Sequence, residues 1–269
     1  MHEAVTPARV RAIGCVAAAA LAASRGASRA LTEFPDSPYR LAAGELIWIG
    51  AHGALHPRAV FVDQPISGDA LLFAGVTPWR PPVQDISPRL AGAGLAMLAR
   101  DLAGVGAPRG VALMMIGVDP PFPLAARAAE AEALAAACSR ASYAAFIAAA
   151  ARLIGVGSGL TPSGDDFVGG ALFALRLLHP HDRGWRDAAR DLSALATRRT
   201  HVISATLLGD LASGRSFAPL HDLLNAAAND GDLGTLRRHA AELTQIGHSS
   251  GWDMLAGLCA GVTGRVKFH

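Results

Sequence analysis

Between Glu45 and Gly117 the chain alternates short apolar, partly β-branched runs with turn residues. The runs are Glu45-Leu-Ile-Trp-Ile-Gly50, Ala59-Val-Phe-Val-Asp63, Ala70-Leu-Leu-Phe-Ala-Gly75 and Val111-Ala-Leu-Met-Met-Ile-Gly117. Their length and residue types predict strands. A Pro-rich loop, Thr77-Pro-Trp-Arg-Pro-Pro82, and a helix from Ser87 to Leu102 separate the third run from the fourth. After Asp119-Pro-Pro-Phe-Pro123 the pattern changes to Ala/Leu stretches of helical length punctuated by glycine. Helices are predicted over 123–137, 139–153, 162–178, 183–196, 201–212, 217–229, 233–246 and 251–261. The fold class is therefore α+β: a mixed, strand-rich domain over 1–120, then a mainly α-helical domain over 121–269. No internal repeat of fixed period interrupts this plan.

Composition narrows the picture. The 269 residues are 51% hydrophobic and 17% charged, which excludes a disordered chain and suffices for one large or two smaller cores. The formal charge of +2 comes from scattered arginines, so no basic stripe points to nucleic acid or to an anionic membrane surface. Lys267 is the only lysine, which disfavours Schiff-base or P-loop chemistry and leaves anion contacts to Arg, hydroxyls and backbone N–H groups. Cys15, Cys138 and Cys259 lie far apart in Ala- or Leu-rich segments, reading as free thiols rather than a disulfide framework or zinc cluster. The run Ile13 to Ala23 is weakly apolar and reads as an amphipathic helix rather than a signal-peptide core. The other apolar runs are too short to span a bilayer, and the expected compartment is the cytoplasm.

Against this background one segment stands apart. Gly155-Val-Gly-Ser-Gly-Leu-Thr-Pro-Ser-Gly-Asp-Asp166 gathers glycines, hydroxyls and two carboxylates at the mouth of the apolar helix that follows. Thr161-Pro162 is a helix-start signal, and Ser163 with Asp166 fits a capping box one register later. One reading is thus a well-capped helix whose acids offset its dipole. The other is a ligand site, because Gly155, Gly157, Gly159 and Gly164 exceed what a cap needs and suggest close backbone approach. No strand precedes the run and no Lys follows its last Gly, so it is neither a dinucleotide fingerprint nor a P-loop. A phosphate or carboxylate held by N–H groups and hydroxyls suits such a helix N-terminus.

Two further polar islands follow. Thr197-Arg-Arg-Thr-His-Val-Ile-Ser204 offers Arg198 and Arg199 as planar forks, Thr200 as a cap for the next helix, and Ser204 one turn on. The plain alternative is solvated arginines at one helix end and an ordinary cap at the next. Gly247-His-Ser-Ser-Gly-Trp-Asp253 places His248, Ser249, Ser250 and Asp253 ahead of a small-residue helix. Its Gly-x-Ser-x-Gly match is not a hydrolase elbow, because 233–246 reads as helix where the elbow needs a strand. His248 is a candidate acid or base, although a lone His near a helix start is commonly a structural hydrogen-bonder.

Taken together and in this order, Gly159-Leu-Thr-Pro-Ser-Gly-Asp-Asp166, Thr200 with Ile203-Ser204, and His248-Ser-Ser-Gly-Trp-Asp253 resemble a bacterial family that includes the AllH-type subunit of oxamate carbamoyltransferase. The likeness is strong over the helical half and loose over the N-terminal half. It implies a subunit of a multi-chain carbamoyl-transferring enzyme in ureide or purine nitrogen breakdown, such as allantoin degradation. The expected chemistry puts a phosphate or carboxylate on Gly157, Ser158, Gly159, Thr161, Ser163 and Gly164. Polar contacts go to Arg199, Thr200, Ser204, Ser249, Ser250 and Asp253, and proton handling to Asp165, Asp166 or His248. No cofactor or metal is expected; Mg²⁺ belongs to a rival reading, a metal-dependent hydrolase of helical fold, because Gly164-Asp165-Asp166 faintly resembles magnesium-binding segments of ADP-ribosylglycohydrolases. The expected partners are a small anionic substrate and other protein subunits or further copies of the chain, with neither nucleic acid nor membrane. A non-catalytic scaffold or metabolite-binding subunit is the other alternative.

Overall fold

The computed structural model describes residues 8–31, 37–64, 71–72, 75–82, 86–229 and 231–268. The chain forms two compact units, Met1–Pro82 and Val83–His269. In the first, six strands among the described residues make one mixed sheet: β1 (Ala8–Ile13), β2 (Arg29–Ala30), β3 (Tyr39–Ala42), β4 (Glu45–Gly50), β5 (Ala59–Val62) and β6 (Leu71–Leu72), in the order β2-β3-β4-β5-β1-β6. β1–β5, β2–β3 and β3–β4 are antiparallel, whereas β4–β5 and β1–β6 are parallel. Helix α1 (Cys15–Ala23) buries Ala17, Ala20 and Leu21 in one cluster with Ile47, Ile49, Val60 and Val62 of the sheet. No side chain caps it; its leading N–H groups bond the carbonyls of Trp79 and Pro57 instead, which satisfies the free donors of a first turn. The strand predicted over 70–75 survives as Leu71–Leu72 and gives way to a turn at Gly75; residues 70, 73 and 74 lie outside the described residues.

The second unit is helical: α2 (Pro88–Ala99), α3 (Ala128–Ser139), α4 (Tyr143–Leu153), α5 (Ser163–Leu178), α6 (Arg183–Arg199), α7 (Val202–Ala212), α8 (Ala218–Ala228), α9 (Leu233–Thr244) and α10 (Ser250–Thr263). Thus the α+β plan holds, with strands first and helices after. The prolines at 119–123 were the expected dividing point; the units part at Pro82/Val83. The fourth predicted strand is a correction. Gly110–Ile116 is a 3₁₀ segment, with Val111, Ala112, Met114 and Met115 buried in the helical core. An apolar run of this length is compatible with either a strand or a buried helical segment, and here tertiary packing decided.

Helices α5 and α10 form the centre of this unit, and glycine lets them touch. A Cβ on Gly257 would collide with the Phe167 carbonyl oxygen, and one on Gly170 would lie 2.5 Å from the Met254 oxygen. Phe167, Leu172, Phe173, Leu255 and Leu258 are fully or almost fully buried around the crossing. Trp185 of α6 stacks edge-on against Tyr143 and Phe146 of α4, with ring centroids 4.8 and 5.2 Å apart. The free thiols of Cys138 and Cys259 are buried, which pushes both up to about 12, and Cys15 is half-buried. Among the described residues no helix is long and apolar enough to cross a membrane.

Candidate functional site

The close α5–α10 crossing brings the two helix N-termini side by side, and the first and third polar islands with them. Thr161 Oγ1 and Ser250 Oγ are 2.8 Å apart, and Ser163 Oγ and Ser249 Oγ 3.3 Å apart. These contacts correct the local reading of the helix start. The residue preceding α5 is Pro162, no side chain caps the helix, and neither Thr161 nor Ser163 bonds a first-turn N–H. The hydroxyls instead reach across to α10. Thr200 likewise does not cap α7, whose N-cap is His201, and Thr200 Oγ1 is buried without a partner among the described residues.

The glycines also serve another purpose than expected. A Cβ on Gly155 would lie 2.6 Å from the Arg199 carbonyl oxygen, one on Gly157 would lie 2.6 Å from Ser163 N, and one on Gly164 would strike the Leu153 oxygen. Gly155 and Gly157 also hold φ of 83° and 130°, a region that side chains disfavour. The close approach is therefore to the chain's own backbone. Gly159 differs: φ is 91° and a Cβ would meet nothing within 4 Å. With Ser158 it forms the exposed tip of the loop.

Two of the three carboxylates behave differently from the third. Asp165 is 1% exposed, and both its oxygens are used: Oδ1 accepts from Gly155 N and Oδ2 from Ser204 Oγ, each at 2.6 Å. It ties the loop and α7 to α5. Asp166 is buried, and its Oδ2 has no hydrogen-bond partner among the described residues. Burial first, then the charge of Asp253, lifts its carboxyl well above the usual range, against the Ser250 and Thr161 hydroxyls that favour ionisation. Asp253 is fully buried on α10. Its Oδ1 accepts from Val111 N at 2.6 Å, while Oδ2 has no partner among the described residues. Burial pushes it up to about 7; the Val111 N–H and the Ser163 and Ser249 hydroxyls hold it from rising further.

Val111 went unnoticed in the sequence because the run it opens read as a strand, and Gly110 lies just ahead of that run. Gly110 has φ of 57°, and a Cβ there would run into the Asp253 carboxylate, so glycine is what admits the acid. Arg109 is a second omission. Its Nη1 donates to the His248 carbonyl at 3.0 Å and lies 3.4 Å from His248 Nδ1. His248 itself is exposed, as is Arg199, whose contribution to the loop is its carbonyl. No group of three or more His, Cys, Asp or Glu among the described residues is arranged to hold a metal ion.

The helical unit thus carries a buried carboxyl pair, Asp166 and Asp253, ringed by four hydroxyls at the junction of two helix N-termini. Residues 153–262, less than half of the chain, match the family model described as oxamate carbamoyltransferase subunit AllH. That stretch contains all three polar islands, and over it the likeness drawn from their motifs stands. No curated protein matches the chain, and no solved structure does.

Proposed function

We propose that this chain is a subunit of an oxamate carbamoyltransferase-type enzyme, and that the α5–α10 mouth binds its small anionic substrate. The observation carrying this reading is the Asp166–Asp253 pair, two buried carboxyls that each keep an oxygen without a partner. A cap or a helix clamp has no need of such atoms, since an unsatisfied buried acceptor costs about 1–3 kcal/mol. Two charged carboxylates would repel an anion. A pair raised by burial, with the Asp253 charge adding to the effect on Asp166, instead holds a proton near neutrality, so Asp166 can donate to a ligand oxygen as a neutral acid does in an apolar site.

In carbamoyl transfer the acceptor nitrogen attacks the carbamoyl carbon, the carbon–oxygen bond to phosphate breaks, and the nitrogen releases a proton. Asp166 is assigned to the carbonyl oxygen as donor, and Asp253, titrating at about 7, to the released proton. The loop from Gly157 to Thr161 and the hydroxyls of Ser163, Ser249 and Ser250 are assigned to the anionic groups. The substrate's place in ureide or purine nitrogen breakdown, and the partner subunits, rest on the family resemblance. Asp165 is reassigned from proton handling to positioning, because both its oxygens are engaged.

The test is Asp166→Asn in the assembled complex. Turnover should fall about a hundredfold or more, the usual range for removing a positioned acid or base, with the folded state retained. Unchanged turnover and unchanged ligand affinity would overturn the assignment and favour the scaffold reading, which the Asp165 clamp supports independently.

A further inference from the structure

At the far end of α5 from the carboxyl pair, a cleft of about 270 Å³ opens between α5, α6 and α7. Asp166 and Arg176 are ten positions apart, about 15 Å along a helix, so the cleft is separate from the mouth. Its walls include Arg176, Arg186, Arg190, Ser193, Gly209 and Ser213, and no carboxylate. The ion pairs of this surface run elsewhere: Asp187 and Asp191 hold Arg190, and Asp210 holds Arg215. Among the described residues none reaches Arg176 or Arg186.

Each of these two arginines is placed at a cost. Arg176 Nη1 is buried with no hydrogen-bond partner among the described residues, although a guanidinium presents five donors that ordinarily find acceptors. Arg186 stands near enough to act on Arg176 as a like charge. It also occupies the first turns of α6, which begins at Arg183, where the helix dipole disfavours a cation. Arg176, in the last turn of α5, is favoured by its own helix end, so the dipole accounts for one arginine of the pair and not the other. Gly209 completes the cleft, since a Cβ there would meet nothing within 4 Å.

We propose that this cleft is a binding site for a phosphate-type oxyanion, free or as a small phosphate ester, held by the forks of Arg176 and Arg186 with Arg190 at the rim. An oxyanion supplies the acceptors that Arg176 lacks and relieves the repulsion between the two guanidiniums. A cleft of this volume lies at the lower limit of small-molecule pockets, which fits a compact anion.

The test is calorimetric titration of the full chain with inorganic phosphate and with glycerol 3-phosphate, at matched ionic strength. Saturable binding of either is expected in the parent protein. It should weaken about tenfold or more in Arg176→Gln and in Arg186→Gln, as loss of a charge-assisted pair implies. Gly209→Leu, which plugs the cleft without removing a charge, should abolish it and serves where an arginine variant misfolds. Each titration is repeated with oxamate saturating, so that the α5–α10 mouth adds no heat, and binding at the cleft should persist there. Heats no greater than those of matched chloride would overturn the proposal. So would binding that, with oxamate saturating, survives all three cleft variants or disappears in the parent.

Discussion

Replacing Asp253 by Asn should make the protein more stable at neutral pH, although it removes a buried group that belongs to the candidate site. The Asp253 carboxyl ionises at about 7 in the folded chain, against an ordinary 3.8, because it is buried. A raised carboxyl binds its proton more tightly when folded, so the associated stability is complete below pH 3.8 and is lost as pH rises through 7. Most of that loss falls between pH 5 and 8 and amounts to roughly 3 kcal/mol at about 1.4 kcal/mol per pH unit. Asn cannot ionise. Its carbonyl can keep the Val111 N–H bond, and its amide is a donor where Oδ2 now has no partner. Urea denaturation of both proteins from pH 5 to 8 reads the difference directly. The variant should gain on the parent by roughly 3 kcal/mol across that interval, the pH dependence that remains coming from Asp166 and the other shifted groups. Loss of the Asp253 charge also relieves Asp166, which acts in the same direction. Parallel pH profiles for the two proteins would refute the reasoning, because they would mean that burial does not hold the proton on Asp253.

Other substitutions probe the frame around the pair. Asp165→Ala strands the Gly155 N–H and the Ser204 hydroxyl and should lower stability by about 2–4 kcal/mol in equilibrium denaturation. Gly257→Ala forces a Cβ into the Phe167 carbonyl and should cost about 2 kcal/mol or more, read as a fall in Tm. His248→Ala, at an exposed position, should change stability by less than about 0.5 kcal/mol; a larger loss would show that its contact with Arg109 holds α10 in place.

Much of the site was legible because its residue types were surplus to local need. Three polar islands in apolar surroundings implied a meeting place, and the hydroxyl contacts between α5 and α10 bring the first and third together. What stayed hidden was who meets whom. Thr161 and Ser163 carry the signature of a local cap, yet their hydroxyls face residues 89 and 86 positions away, a preference that no local pattern encodes. The glycines were visible as close-approach positions, but sequence does not say whether a backbone approaches a ligand or another strand of its own chain. Val111 was missed for a related reason: a continuous apolar run fits a strand and a buried 3₁₀ turn equally well, and only the latter offers Val111 N–H to Asp253; Arg109 and Gly110, just ahead of the run, carry no local signal.

The central claim is that the α5–α10 mouth holds the substrate, and a crystal structure of the chain with oxamate or carbamoyl phosphate tests it most directly. The ligand is expected at the junction of the two helix N-termini, with an oxygen within hydrogen-bond distance of Asp166 or Asp253 and of the Ser249 or Ser250 hydroxyl. An ordered ligand bound elsewhere, with both carboxyls untouched, would contradict the account.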